Sequence, residues 1–284
     1  MSDQVLILRD GRRLGFAEYG DPAGFAVLNC HGGLACRLDV AWADGVARRG
    51  AIRLISPDRP GVGLSDTQPG RTVLDWAADV SELTKHLGVE RFSVTGWSMG
   101  GPYAAAVGYA LGDAVHRLAI VAGALPLDEP GRFEQLPLVD RVYTRLSQRQ
   151  PGTARGCFRA MSAVAGVAPG LYGRVVAHGL GAADETVIRD EGFDAFARMS
   201  REALRQPGGV VEEYRGWMRP WGFALEELRV TTDVWVGAED SLLDPRWARE
   251  LARRIPRATL QVRPGGHFMA HLHCREIFDA LGGT

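Results

Sequence analysis

Thirteen residues, Arg91 to Tyr103 (R-F-S-V-T-G-W-S-M-G-G-P-Y), constrain what this chain can fold into more than any other stretch. Phe92, Val94 and Thr95 are β-formers in a short apolar run, so the segment enters as a buried strand. The Ala-rich run from Tyr103 to Leu111 reads as a helix. Between them stands Gly96-Trp97-Ser98-Met99-Gly100, a Gly-x-Ser-x-Gly turn from strand to helix, the pattern of a nucleophile elbow. Such a turn puts its central residue into a strained backbone conformation. Small residues two before and two after let strand and helix close up. The serine hydroxyl is then left at the sheet edge, in front of helix-terminal N–H groups.

The rest of the chain supplies the sheet. Strands are expected at Val5–Leu8, Leu14–Glu18, Ala26–Asn29, Ile52–Ser56, Leu118–Val121, Thr232–Val236 and Leu260–Val262. Helices are expected at about Leu38–Arg48, Val73–Leu87 (closed by Gly88), Pro245–Ile255 and His271–Leu281. Strands alternating with helices predict an α/β fold with a mostly parallel, doubly wound sheet. The alternation fails from about Pro126 to Phe223, where helical fragments are punctuated by Pro130-Gly131, Pro151-Gly152, Pro169-Gly170 and Pro207-Gly208-Gly209. The expected organisation is a core of residues 1–125 and 224–284 with a helical cap inserted at 126–223. With 284 residues, 46% of them hydrophobic, the chain can bury such a core.

Serine needs a base to take its proton, and histidine is suited to that at working pH. Of seven histidines, His267 lies in the glycine-rich loop Arg263-Pro264-Gly265-Gly266-His267, between the last strand and the closing helix, on the same sheet edge as Ser98. An acid must orient the imidazole. Asp240, in Gly237-Ala238-Glu239-Asp240 after the Thr232–Val236 strand, is one choice; Glu239, Asp244 and Asp128 are rivals. Backbone N–H donors must also face the developing oxyanion. Met99 offers one, and the loop His31-Gly32-Gly33-Leu34 after the third strand offers another.

The elbow, the His-Gly-Gly loop and Asp58-Arg59-Pro60-Gly61-Val62-Gly63-Leu64-Ser65-Asp66 come in an order that resembles the serine α/β-hydrolase family with a helical cap. The resemblance spans roughly Val27–Val121 and Val234–Phe268. It implies a Ser98–Asp240–His267 triad, because the family carries its acid at the Asp240 position, and an oxyanion hole of Gly33 and Met99. Family members usually have proline where this chain has Leu34, which leaves Leu34 as a rival donor. It gives the Asp58–Asp66 loop an architectural role and His31 a structural one. Relatives that open epoxides or remove halides carry aspartate in place of Ser98, and proline iminopeptidases carry a different elbow. The reading is therefore hydrolysis of a carboxylic ester, thioester or lactone. Carbon–carbon bond hydrolysis and cofactor-free perhydrolysis are alternatives, and a non-catalytic binding protein is a further one.

Leu34, Trp97, Trp217 and Trp221 are candidate pocket walls for an apolar acyl or ring substrate. No metal or organic cofactor is implied; Cys30, Cys36, Cys157 and Cys274 lack metal-ligand spacing. A net charge of −1 speaks against nucleic acid or a membrane as partner. A small-molecule substrate is the expected partner, with a homodimer left open. The polar N-terminus and the shortness of the apolar run after it point to the cytoplasm.

Overall fold

The computed structural model describes residues 3–282. Eight strands form one sheet: β1 (Gln4–Ile7), β2 (Arg13–Gly20), β3 (Phe25–Cys30), β4 (Ile52–Pro57), β5 (Phe92–Trp97), β6 (Val115–Val121), β7 (Thr232–Gly237) and β8 (Ala258–Arg263). Their spatial order is β1-β2-β4-β3-β5-β6-β7-β8. Only the β1–β2 and β2–β4 pairings are antiparallel; β4 through β8 run parallel. The carboxyl ends of β3, β5, β7 and β8 therefore share one edge, the edge at which open α/β sheets build their sites.

Helices cover both faces. On one face α2 (Trp76–His86), α3 (Gly100–Ala110) and α10 (Arg246–Arg254) bury Trp76, Leu83, Tyr103, Trp247 and Leu251 against Phe92, Val94 and Leu118. On the other, α1 (Asp44–Arg49) and α11 (Ala270–Leu281) pack Ala47, Ile277 and Phe278 on Val27, Ala119 and Trp235. Buried on both sides, β5 carries no charged residue and β6 is wholly apolar from Leu118 to Val121, as parallel central strands require. The Leu38–Arg48 helix is shorter than expected: a 3-10 turn at Ala41–Ala43 precedes α1, because Asp39 is drawn inward to bond Asn29 and Gly32.

Six helices fill the gap between β6 and β7: α4 (Leu138–Arg149), α5 (Pro151–Val167), α6 (Pro169–Gly179), α7 (Ala182–Glu191), α8 (Phe193–Ala203) and α9 (Pro207–Gly216). The prolines read as breaks are also starts. Pro151, Pro169 and Pro207 open α5, α6 and α9, where a missing N–H costs nothing. Phe158 and Tyr214 from these helices, and Trp217 just after α9, merge with the sheet's own core.

Candidate active site

Ser98 follows β5 and precedes α3, with φ at +55°, in the left-handed region that a side chain avoids. Its backbone holds it there. Its N–H donates to Val121 O (2.8 Å), while its carbonyl accepts from Gly101 N (3.0 Å) and Ala124 N (3.2 Å). The elbow glycines are required by contact. A Cβ on Gly96 would lie 2.5 Å from Ala104 Cβ, and one on Gly100 would lie 1.9 Å from Cys30 O. The second approach seats the start of α3 directly on the loop after β3.

That loop is fixed from beneath. Arg59 N–H donates to His31 Nε2 (3.1 Å), so the ring proton is on Nδ1, which donates to Gly32 O (2.9 Å). Burial and the neighbouring Arg59 hold His31 well below its usual basicity, so it stays neutral. The Arg59 guanidinium also donates to His31 O and to Gly32 O (2.9 Å). Leu34, at φ +53°, carries the loop's strain. The loop lies against the elbow: a Cβ on Gly33 would meet Trp217 at 2.9 Å and Met99 Cγ at 3.4 Å. The N–H groups of Gly33, Leu34 and Met99 find no acceptor among the described residues.

His267 follows β8, and its Nδ1 is 2.9 Å from Asp240 Oδ2. The other Asp240 oxygen accepts from Leu242 and Leu243 N–H, both at 2.9 Å, which fixes the carboxylate to face the imidazole. The rivals are elsewhere: Glu239 accepts from Gly265 N, Asp244 pairs with Arg246, and Asp128 is exposed. His267 Nε2 is buried with no partner, and no hydrogen bond joins it to Ser98 Oγ in this structure. Trp97 bridges the two loops: its indole N–H donates to His267 O at 3.0 Å.

The sequence reading missed Asp184. From the first turn of α7 its two oxygens accept the N–H groups of His267 (2.9 Å) and Phe268 (2.8 Å), clamping the histidine loop to the inserted helices. No motif marks it, because the partners are backbone groups 83 and 84 residues away.

Of the four wall candidates, Leu34 is in the loop beside Gly33, and Trp217 stands over Gly33 and packs at a tilt against Tyr214 (centroids 4.3 Å, 46° between planes). Trp221 packs on Phe223 (5.8 Å) within the core. Trp97 and Phe268, the neighbours of Ser98 and His267, form one wall of a largely apolar cavity of about 360 Å³. Phe196, Met199 and Trp42 line it, and Asn29, Asp39 and Thr95 put polar groups in it. Burial pushes the Asp39 carboxyl up to about 7, against the opposing pull of Gly32 N–H, the Asn29 amide and Arg59. Ser98 itself does not line this cavity.

A family model of the alpha/beta hydrolase fold matches residues 26–273. The chain belongs to that family. Among solved structures, this α/β-hydrolase is similar to a thermophilic esterase from Thermogutta terrifontis (24% identity, 99% of this chain and 96% of that one, TM-score 0.72). It is also similar to an esterase from Exiguobacterium antarcticum (17%, 99% and 98%, 0.72) and an enol-lactonase from Burkholderia xenovorans (19%, 98% and 97%, 0.68). At these identities the likeness is one of fold. No curated protein matches the sequence. Among the described residues no group of His, Cys, Asp and Glu is disposed to hold a metal ion, and no single helix is long and apolar enough to cross a membrane.

Proposed function

We propose that this α/β-hydrolase is a serine hydrolase that cleaves a carboxylic ester, thioester or lactone with an apolar acyl or ring part. The observation that carries the reading is Ser98 at a left-handed turn, on the same sheet edge as a buried His267–Asp240 pair. Ser98 Oγ attacks the carbonyl carbon while His267 Nε2 takes the hydroxyl proton. Asp240 keeps the Nδ1 proton in place and stabilises the imidazolium that forms. The oxyanion is received by the N–H groups of Met99 and Gly33, which are unpaired and lie on facing loops. The tetrahedral intermediate collapses by expelling the alkoxide or thiolate, which takes the proton from His267. Water, activated by the same histidine, then hydrolyses the acyl-enzyme.

Residues 126–223 act as the lid of this site, and the cavity behind Trp97 and Phe268 receives the apolar part of the substrate. Its volume falls at the small end for ligand pockets. The esterase and lactonase neighbours support the choice of bond. The test is labelling of the intact protein by a fluorophosphonate, with Ser98→Ala and His267→Ala as controls and p-nitrophenyl esters and lactones as substrates. Labelling that disappears in both variants, with ester or lactone turnover, is the expected result. A folded wild type that takes no label overturns the reading and leaves a ligand-binding protein.

A further inference from the structure

Charge and apolar surface are unevenly distributed over this molecule. Across α4, α5 and α6 (residues 138–179) the chain has six arginines, one aspartate and no lysine or glutamate, a net charge of +5 in a protein whose total is −1. The single acid, Asp140, is turned inward and accepts from Tyr214 OH at 3.1 Å. Arg141, Arg145 and Arg149 on α4, Arg155 and Arg159 on α5, and Arg174 on α6 make no ion pair among the described residues; all but Arg141 are exposed. Elsewhere arginines commonly find carboxylates, as Arg12, Arg37, Arg59 and Arg254 do. Arginines left unpaired together on one surface form a positive field with no internal counter-charge.

The same three helices expose apolar side chains. Seven of the twelve large hydrophobics exposed among the described residues lie on them. Leu138 and Val139 stand at the start of α4, Val164 and Val167 at the end of α5, and Leu171 and Val175 along α6. Val167, at the α5–α6 corner, is 87% exposed and Val175 is 65% exposed. The tight link at Gln150 turns α5 back along α4, stacking Phe158 on Tyr143 (centroids 4.9 Å), which brings the end of α5 towards the start of α4. The apolar groups thus gather at one end of the helical layer. An isolated exposed valine needs no explanation, but a concentration of them does. The bend of 119° between α5 and α6 prevents the pair from forming one straight span, so the helices can lie along a surface with their apolar residues dipping into it.

We infer that the α4–α6 face is a docking surface for an anionic lipid bilayer, holding the molecule at the interface from which it meets its substrate. Exposed apolar groups and unpaired arginines, on helices whose one acid is turned inward, are complementary to acyl chains beneath anionic headgroups, with Asp194 of α8, beside the start of α6, the acid at their margin. The near-zero charge of the whole chain, which speaks against a membrane partner, averages this basic layer with acidic residues elsewhere. Docking needs neither Ser98 nor His267, so it stands or falls separately from the hydrolase reading.

Co-sedimentation of the intact protein with phosphatidylcholine vesicles, with and without an equal part of phosphatidylglycerol, tests it. The expected result is binding to the anionic vesicles, release by high salt, and little binding to the zwitterionic ones. Arg155→Glu with Arg159→Glu weakens binding by at least about tenfold, from the per-residue worth of basic groups near an anionic surface. Val167→Asp with Leu171→Asp abolishes it, while the circular dichroism and urea midpoint of both variants match the wild type, which shows that they fold. Absence of binding by a folded wild type overturns the inference, as does equal binding to both vesicle types. A dimer that Val167→Asp with Leu171→Asp dissociates, without vesicle binding, assigns the face to a second copy of the chain instead.

Discussion

Ser98 is the residue at which the backbone accepts strain in the turn from β5 to α3. A left-handed φ on a non-glycine residue costs about 1–3 kcal/mol and persists only where its surroundings fix it, here through three backbone hydrogen bonds. Ser98→Ala keeps those bonds, so it is expected to fold as the wild type does and lose turnover by several orders of magnitude. Asp240→Asn keeps the contacts with Leu242 and Leu243 but favours the wrong imidazole tautomer, with a loss in kcat of about 10⁴. Steady-state kinetics beside circular dichroism of both variants check this. His31 is a histidine of the opposite kind: buried, neutral and occupied at both ring nitrogens by backbone partners. Its role is to shape the loop that presents Gly33.

At the scale of elements, buried carboxylates join the inserted helices to the sheet. Asp184 ties α7 to the loop after β8, and its bonds are to the N–H groups of His267 and Phe268. Asp184→Ala leaves two buried donors unpaired, at a cost of about 2–4 kcal/mol, and frees the histidine loop. The expected kinetic signature is a fall in kcat of about a hundredfold with KM little changed; Asp184→Asn, which can still accept one bond, is expected to fall between. Glu213 on α9 pairs with Arg59 at 2.7 Å and lies 3.5 Å from Arg71, all three buried. Removing it strands two guanidiniums in the interior. Glu213→Ala is expected to destabilise by about 3–5 kcal/mol, read as a lower urea midpoint. Because Arg59 also holds the His31 and Gly32 carbonyls, activity should fall with stability. Gly61, at φ +83°, and Gly209 meet at the same junction, where a Cβ on either would strike the other's backbone at 2.6 Å or less.

For the whole molecule, Asp39 sets a pH dependence of stability. Its carboxyl titrates at about 7 when folded against an ordinary value of 3.8. Between those values the folded state keeps a proton that the unfolded chain has released. Its contribution is therefore greatest on the acid side, declines as pH rises toward 7 and is level above it. Urea unfolding at pH 5 and pH 8 should show a larger loss for the wild type than for Asp39→Asn, the difference between the two isolating this group. Arg59 and Asp58 act on it in opposite directions, and the Asn29 amide and Gly32 N–H oppose the rise. Asp39 also lines the cavity and accepts from Gly32 N–H in the loop after β3, so this titration reaches both.

The sequence alone determined the frame: alternating strands and helices, a Gly-x-Ser-x-Gly turn with a strand before and a helix after it, and a histidine beyond the last strand. These are legible because periodicity, turn chemistry and chain order are local. The choice among Asp240, Glu239, Asp244 and Asp128 was narrowed by resemblance, and only the fold shows which one meets His267 Nδ1. Asp184, Glu213 and Asp39 were illegible, since each acts on groups brought to it by packing: across 83, 154 and 10 residues. Trp217 and Trp221 are four residues apart and both buried in the core, yet it is Trp217 that is set against Gly33. The uneven charge was present in the sequence but carried no weight until folding placed the arginines without partners and the valines without cover. Covalent order fixes which local structures form; which buried charges meet, and which surfaces stay bare, is settled only when those structures pack.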